Sequence, residues 1–237
     1  MSLLTMIGQV ANAMGQPAPA VVATSTDAMV LEWLAMANIS GRALVIAYPW
    51  QELVNEVTFT SASAYDQGTI NGHLVTAGDF DRMIDGTLWN RTGIMKATGP
   101  INESEWQQDM AFSAAAPYPK YKINKAKLFI GPSIPNDTDT WAFSYISQNF
   151  CQSASGDGQS SWLADSDTGI LSESLMKLDI IWRWKASKSL EYADDLANFE
   201  DEFANRTGQT TGGRSLYLGG ANVIFPINVP EGNWPTS

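Results

Sequence analysis

The chain has one cysteine, Cys151, and one histidine, His73. A single cysteine excludes an internal disulfide and, beside a single histidine, a zinc cluster of the usual Cys/His kind. It agrees with assembly in a reducing cytosol. Basic residues are scarce: 14 Lys and Arg stand against 25 Asp and Glu, a net charge of −11 with a pI near 4.4. Proteins that grip a nucleic-acid backbone are normally basic. Ordinary DNA or RNA binding is therefore disfavoured, whereas an acidic surface that lets nucleic acid pass without sticking is compatible. No apolar run approaches the ~20 residues needed to cross a bilayer, so no membrane span is expected. The start, Met1-Ser2-Leu3-Leu4-Thr5, lacks the basic region of a signal peptide. Without secretion, the Asn-x-Ser/Thr triplets at Asn38, Asn90, Asn102, Asn136 and Asn205 read as chance.

What is present points to a folded protein. With 237 residues, 44% hydrophobic and 16% charged, the chain is long enough for one large or two small domains with a real core. Nine Trp residues suggest extensive packing surface, in the core or at interfaces.

The stretch Asp165–Gly208 reads as a helical hairpin. Leu171, Leu175, Leu178 and Trp182 recur at spacings of 4, 3 and 4, the stripe of an α-helix. Met176, Ile180, Ile181 and Trp184 add a second apolar face, so this helix should be covered from more than one side. Leu175, Leu178, Trp182 and Trp184 are the expected core organiser. Tyr192, Leu196, Phe199 and Phe203 repeat the spacing in a second helix, and Glu191, Asp194, Asp195, Glu200, Asp201 and Glu202 give it an acidic face. Asp165, Asp167, Ser172 and Glu173 suit the positive end of the first helix, and Arg206-Thr207-Gly208 suits the exit of the second, with Gly208 as the C′ residue.

At the other end, Leu3, Ile7, Val10 and Met14 mark a short helix stopped by Gly15 and Pro17. Thr26 or Asp27 can cap a helix whose seam is Val30, Leu34, Ala37, Gly41 and Leu44, ended by Pro49. Between the helical pairs, Glu56–Thr60 alternates as a strand, and Tyr121–Ile123, Lys127–Ile130 and Thr140–Ser147 read as three more, with Asn124-Lys125 as a turn. Val75–Asp85 is expected to hold a helical turn around Phe80 and Met83, and Asn102–Phe112 a capped helix. Gln152–Ser161, rich in Ser and Gly, is expected to be a mobile connection. The class is thus α+β: helices over 2–14, 26–47, 171–187 and 189–207 join as a bundle, and a small mixed or antiparallel β-region over about 55–150 is inserted between the pairs. Residues 1–208 form the main domain and 209–237 an extended arm. The arm cannot close its own core, yet Leu216, Tyr217, Leu218, Phe225, Ile227 and Trp234 argue that it docks on a neighbouring subunit or partner.

No chemistry stands out. Neither His73 nor Cys151 has a partner motif for a triad. Glu103/Glu105 and Asp165/Asp167 are carboxylate pairs of the sort glycosidases use, but each precedes an expected helix, where acids are favoured anyway. Asp165-Ser166-Asp167-Thr168-Gly169 looks superficially like a calcium loop and fails at the twelfth position. No Walker, Rossmann or zinc spacing occurs, so no cofactor, metal or catalytic residue is expected.

Several segments recur together in one family: Met1-Ser2-Leu3-Leu4-Thr5-Met6-Ile7; Asp79-Phe80-Asp81-Arg82-Met83-Ile84 with Leu88-Trp89-Asn90-Arg91-Thr92; Gly99-Pro100 followed by Glu105-Trp106; Phe143-Ser144-Tyr145-Ile146-Ser147; and Leu178 to Ala193 with Trp182-Arg183-Trp184-Lys185. In this order they resemble the head-to-tail adaptor (connector) proteins of tailed bacteriophages and prophages, over most of the chain up to Gly208. The resemblance implies a non-enzymatic virion protein of the neck, assembled in the host cytoplasm. It implies a ring, typically of twelve copies, below the dodecameric portal. Such a ring extends the DNA channel, presents a platform to tail or nozzle proteins, and docks its C-terminal arm on the portal. Glu191, Asp194, Asp195, Asp201 and Glu202 are then candidates for a channel-facing surface that repels phosphate. Two other readings stay open: a tail-tube or neck component that does not touch the portal, and a virion-associated peptidoglycan hydrolase with Glu103 or Glu105 as its acid.

Overall fold

A computed structural model describes residues 1–112 and 118–210. The protein is α+β, with antiparallel sheets. In chain order the elements are α1 (Leu3–Ala13), α2 (Ala28–Ala47), β1 (Val54–Thr60), β2 (Asp66–Thr69), α3 (Ile70–His73), β3 (Phe80–Met83), β4 (Trp89–Asn90), β5 (Met95–Lys96), α4 (Glu103–Phe112), β6 (Lys120–Asn124), β7 (Lys127–Gly131), β8 (Thr140–Ser147), β9 (Cys151–Gln152), β10 (Gly158–Gln159), β11 (Thr168–Gly169), α5 (Glu173–Ser187) and α6 (Ala193–Thr210).

Local chemistry sets the helix starts. The Ser2 hydroxyl accepts from the Thr5 amide at 3.3 Å, and Asp27 accepts from Met29 at 2.8 Å, each satisfying an otherwise orphaned N–H. α5 is the centre of the helical layer and packs against α1, α2 and α6. Leu175, Met176 and Ile180 share one apolar cluster with Leu3, Ile7 and Val10 of α1 and with Trp33, Ala37 and Leu44 of α2. Phe150 completes that cluster and fits because Gly41 of α2 has no side chain to meet its ring.

The sheets are organised on β8. Along one edge β1 runs antiparallel to it, from Val54 opposite Ile146 to Thr60 opposite Thr140. Along the other lie β3, with Met83 opposite Tyr145, and β4, with Asn90 opposite Trp141; β5 follows β4. β2, β7 and β6 form a second sheet, and β10, β9 and β11 a third. Successive β8 side chains point to opposite faces. Trp141, Phe143 and Tyr145 enter a cluster with Val57, Leu88, Tyr121 and Ile130, while Ile146 enters the helical cluster. β8 is therefore the seam between two cores, which is why both its faces are buried.

Several expectations are corrected. Phe80–Met83 is a strand, because β8 offers it a free edge that no local periodicity reveals. The turn expected at Asn124-Lys125 falls at Lys125-Ala126, both with positive φ. Gln152–Ser161 is held in a hairpin by β9 and β10, with Ser153 and Asp157 bonded across its tip. Gly208 does not end the last helix; α6 begins at Ala193 and runs through Thr210. α2 is long and apolar enough by length and composition to cross a membrane, which Glu32 and Arg42 obscured in a search for unbroken runs. Val30, Trp33, Ala37 and Leu44 on its inner side are instead packed in the core.

Candidate functional site

α6 packs on α5, and none of its residues with described side chains is fully buried. Its inner stripe of Leu196, Phe199 and Phe203 is half-buried, as an amphipathic helix on the rim of a core requires. Phe199 faces Trp182 at a centroid distance of 6.3 Å, and Phe203 meets Trp50 edge-on at 5.7 Å. The Tyr48 hydroxyl donates to the Thr207 carbonyl at 3.4 Å, which places the last turns of α6 beside the end of α2.

The acids expected to form one channel-facing surface divide into two groups. Asp195 is half-buried and pairs with Lys185 at 2.5 Å; Glu202 is half-buried and pairs with Arg206 at 2.9 Å. Glu191 caps the helix by accepting from the Ala193 amide. Asp194 and Asp201 are exposed, together with Glu200, so the open acidic face is narrower than the sequence suggests.

The expected organiser also splits. Leu175 and Trp184 lie in the core, but Leu178 and Trp182 are only half-buried. Trp182 is a lid between α5 and α6. Its indole N–H donates to Asp179 at 2.8 Å, and the Arg183 guanidinium stacks over its ring at 4.7 Å while its Nε donates to the same carboxylate at 2.7 Å. Asp179 is fully buried and is the residue that sequence reasoning missed. The Asp-x-x-Trp-Arg spacing, which sets donors three and four positions along one helix face, was the available signal. The inner work passes to Met176 and Ile180, both fully buried.

The carboxylate pairs are structural. Asp165 accepts from the Val22 and Ala23 amides at 3.0 and 2.7 Å, tying the loop after α1 to the segment before β11, and Asp167 accepts from Leu163 and Ala164 at 2.8 Å each, closing a local turn. They do not cap α5. Glu103 pairs with Lys122 at 2.8 Å and Glu105 with Lys120 at 3.0 Å, fastening α4 to β6. Hydrogen bonding from Lys122 holds the Glu103 carboxyl below its ordinary range, the opposite of what a general acid needs. His73 is half-buried, tilted against Phe59 at 4.3 Å, with Nε2 donating to the Gln67 carbonyl at 2.8 Å; burial lowers its pKa. Cys151 is buried and its thiol donates to the Gln159 carbonyl; desolvation, and then the Asp167 charge, push it up to about 12. Among the described residues, no group of three His, Cys, Asp or Glu side chains could hold a metal ion.

Another buried carboxylate, Asp79, carries a larger network. It accepts from the Tyr145 hydroxyl at 2.8 Å, the Asn149 amide at 2.7 Å, the Ser147 hydroxyl, and Asn55 at 3.3 Å. It thereby ties the approach to β3 to β1 and to the end of β8. Several open hollows occur among the described residues, and two are broad. One, of about 500 Å³, lies between α2, α5 and α6; the other, of about 480 Å³, lies over β8 and β4 beside Trp89, Arg91 and Ile94. The arm residues Leu216, Tyr217, Leu218, Phe225, Ile227 and Trp234 lie outside the described residues. Compared with known proteins, the sequence matches no family pattern and no curated protein.

Proposed function

We propose that the chain is a structural head-to-tail adaptor of a tailed bacteriophage, a ring subunit below the portal that extends the DNA channel and receives the tail. One observation carries the reading: the segments on which the adaptor resemblance rests are joined to the framework by buried contacts. Asp79, at the head of one segment, accepts from Tyr145 and Ser147 of another. Arg82 of the first donates to the Val45 carbonyl of α2, and Trp182 and Arg183 both reach Asp179. In this reading α1, α2, α5 and α6 are the helical bundle, residues 55–150 its inserted β-region, and the residues after Thr210 the arm that docks on the portal.

The exposed acids of α6 fit a surface past which DNA slides without sticking. The experiment is cryo-electron microscopy of particles assembled with the portal, tail proteins and DNA of the same genome. A ring seated on the portal is expected; a ring that stacks only on tail proteins would favour the neck-component reading and sink this one. Within such particles, Asp194→Asn, Glu200→Gln and Asp201→Asn together should slow DNA passage, and an unchanged rate would remove α6 from the channel wall.

A further inference from the structure

We propose that neighbouring subunits meet through the corner between α5 and α6 of one copy and the hollow over β4 and β8 of the next, with Leu190 and Tyr192 as the inserted side chains. The inference rests on the ring reading and names its contact. The corner stands clear of the fold, since every residue from Ser187 to Asp194 is exposed. Leu190 is 49% exposed and Tyr192 40%, although the tyrosine ring also meets Trp182 at a centroid distance of 6.5 Å. Ser189 holds the turn with a φ of 56°. The hollow has a volume of about 480 Å³, and its lining includes Trp89, Ile94, Ala142 and Phe143 beside the Glu56–Arg91 ion pair. Such a surface takes aliphatic and aromatic side chains.

Two observations point to a partner in the hollow, and charge names the partner as a second copy. Ile94, at the tip of the β4–β5 hairpin, is 82% exposed and holds a φ of 50°, which β-branched residues rarely adopt. Neither apolar burial nor backbone ease accounts for it within one subunit, whereas cover from a second molecule supplies the burial. Trp89 at 43% and Met95 at 38% extend the same exposed apolar surface. The second observation is electrostatic. Residues 86–102 contain no acid and carry Arg91 and Lys96, in a chain whose net charge is −11. Lys96 is exposed and in no ion pair among the described residues. The corner supplies the opposite sign: Glu191 lies between Leu190 and Tyr192, is exposed, and accepts from the Ala193 amide. The cations near it, Lys185 and Lys188, are already paired with Asp195 and Glu32. Inserting the two apolar side chains therefore brings an uncompensated acid to a basic hairpin. A projecting patch and a receiving patch on different layers of one chain make a heterologous contact, the kind that closes into a ring. Two side chains bury far less than the ~800 Å² per partner of a stable pair, so free copies should associate weakly and hold together once the ring closes on the portal.

The test mixes two full-length variants, Leu190→Cys and Ile94→Cys, both as concentrated free protein and in particles assembled on the portal. The native Cys151 is buried and stays out of the reaction. The control mixture replaces Ile94→Cys by Val75→Cys, at a fully exposed position outside the hollow. A short bis-maleimide followed by peptide mapping should join 94 of one chain to 190 of another at least about 10-fold more often than 75 to 190, a preference of about 1.4 kcal/mol. Adding Glu191→Lys to the first variant should lower that yield several-fold, and adding Lys96→Glu to the second should restore it. Restoration shows that the corner is still folded; a yield indifferent to both charge changes counts against the contact. A 94–190 yield no higher than 75–190, in free protein and particles alike, overturns the proposal. So do 94–94 or 190–190 links of equal abundance, which mark a two-fold contact instead. A ring on the portal without the 94–190 link sinks this contact and leaves the adaptor reading standing, whereas the link in free protein with no ring on the portal does the reverse.

Discussion

Gly41 offers a prediction whose sign is set by packing against propensity. It lies inside α2, where glycine ordinarily costs about 1 kcal/mol relative to alanine. By propensity alone, Gly41→Ala should stabilise the protein. A Cβ at this position, however, would overlap Cδ2 and Cε2 of Phe150 and lie 2.6 Å from its Cγ, where carbon atoms prefer about 3.5–4.0 Å. Phe150 is fully buried and has the Trp162 ring against it at 6.0 Å, so the phenyl cannot swing away without moving the start of β9. Overpacking of this kind costs about 1–3 kcal/mol, and a rigid ring with more than 1 Å of overlap belongs at or beyond the top of that range. After the propensity gain, a net loss of about 2 kcal/mol is expected, which lowers the thermal midpoint by about 4–8 °C for a chain of this size. Denaturant unfolding of four variants measures it. Gly8→Ala is the control: its Cβ would meet only the Ala18 Cβ at an ordinary 3.6 Å, so a gain of about 0.5–1 kcal/mol is expected. Phe150→Leu should lose stability alone, yet combined with Gly41→Ala should cost less than the sum by at least about 0.5 kcal/mol. A Gly41→Ala variant that gains stability as Gly8→Ala does would refute the reasoning.

Three other outcomes are expected. Asp79→Ala leaves the Tyr145, Ser147, Asn149 and Asn55 donors without their acceptor; a loss of about 2–4 kcal/mol should appear in denaturant unfolding, and a loss below about 1 kcal/mol would show the network to be dispensable. Burial depresses the His73 pKa below 6.5, so the unfolded chain binds a proton first as pH falls. The His73 contribution should be constant above about pH 6.5 and decline below it. His73→Gln should flatten the melting-temperature profile between about pH 7 and 5, and an unaltered slope would refute the assignment. With its thiol near 12, Cys151 should react with a thiol reagent at pH 8 only at the rate the protein opens; rapid stoichiometric labelling of the native protein would contradict its burial.

Much of the helical layer was legible because a helix writes its buried stripe into the sequence at every third or fourth residue. The 4-3-4 spacings of Leu3–Met14 and Tyr192–Phe203 run over α1 to its C-cap Met14 and across the start of α6. β6, β7 and β8 were legible for a similar reason: each is a run of at least five residues bounded by loops. β3 was not, because four residues carry no usable period and their strand exists only through pairing with β8. The acids were misassigned for a related reason. A carboxylate before a helix is a good cap in general, but Asp165 points at amides brought near from Val22–Ala23, and Asp167 at the local amides of Leu163 and Ala164.

The hairpin shows where the division falls. Sequence alone determined that α5 has two apolar faces and that α6 has one apolar stripe and an acidic side, since side-chain direction along a helix is fixed by its 3.6-residue repeat. Only the tertiary structure decided which face of α5 became interior. α1 and α2 cover Met176 and Ile180, Trp184 joins the same cluster, and α6 covers Trp182 only in part. It also decided which acids of α6 remain open, because Asp195 and Glu202 meet Lys185 and Ser174 of α5, whereas Asp194 and Asp201 face solvent. Periodicity is a property of the local backbone, but burial and ion pairing depend on neighbours that arrive from elsewhere in the chain.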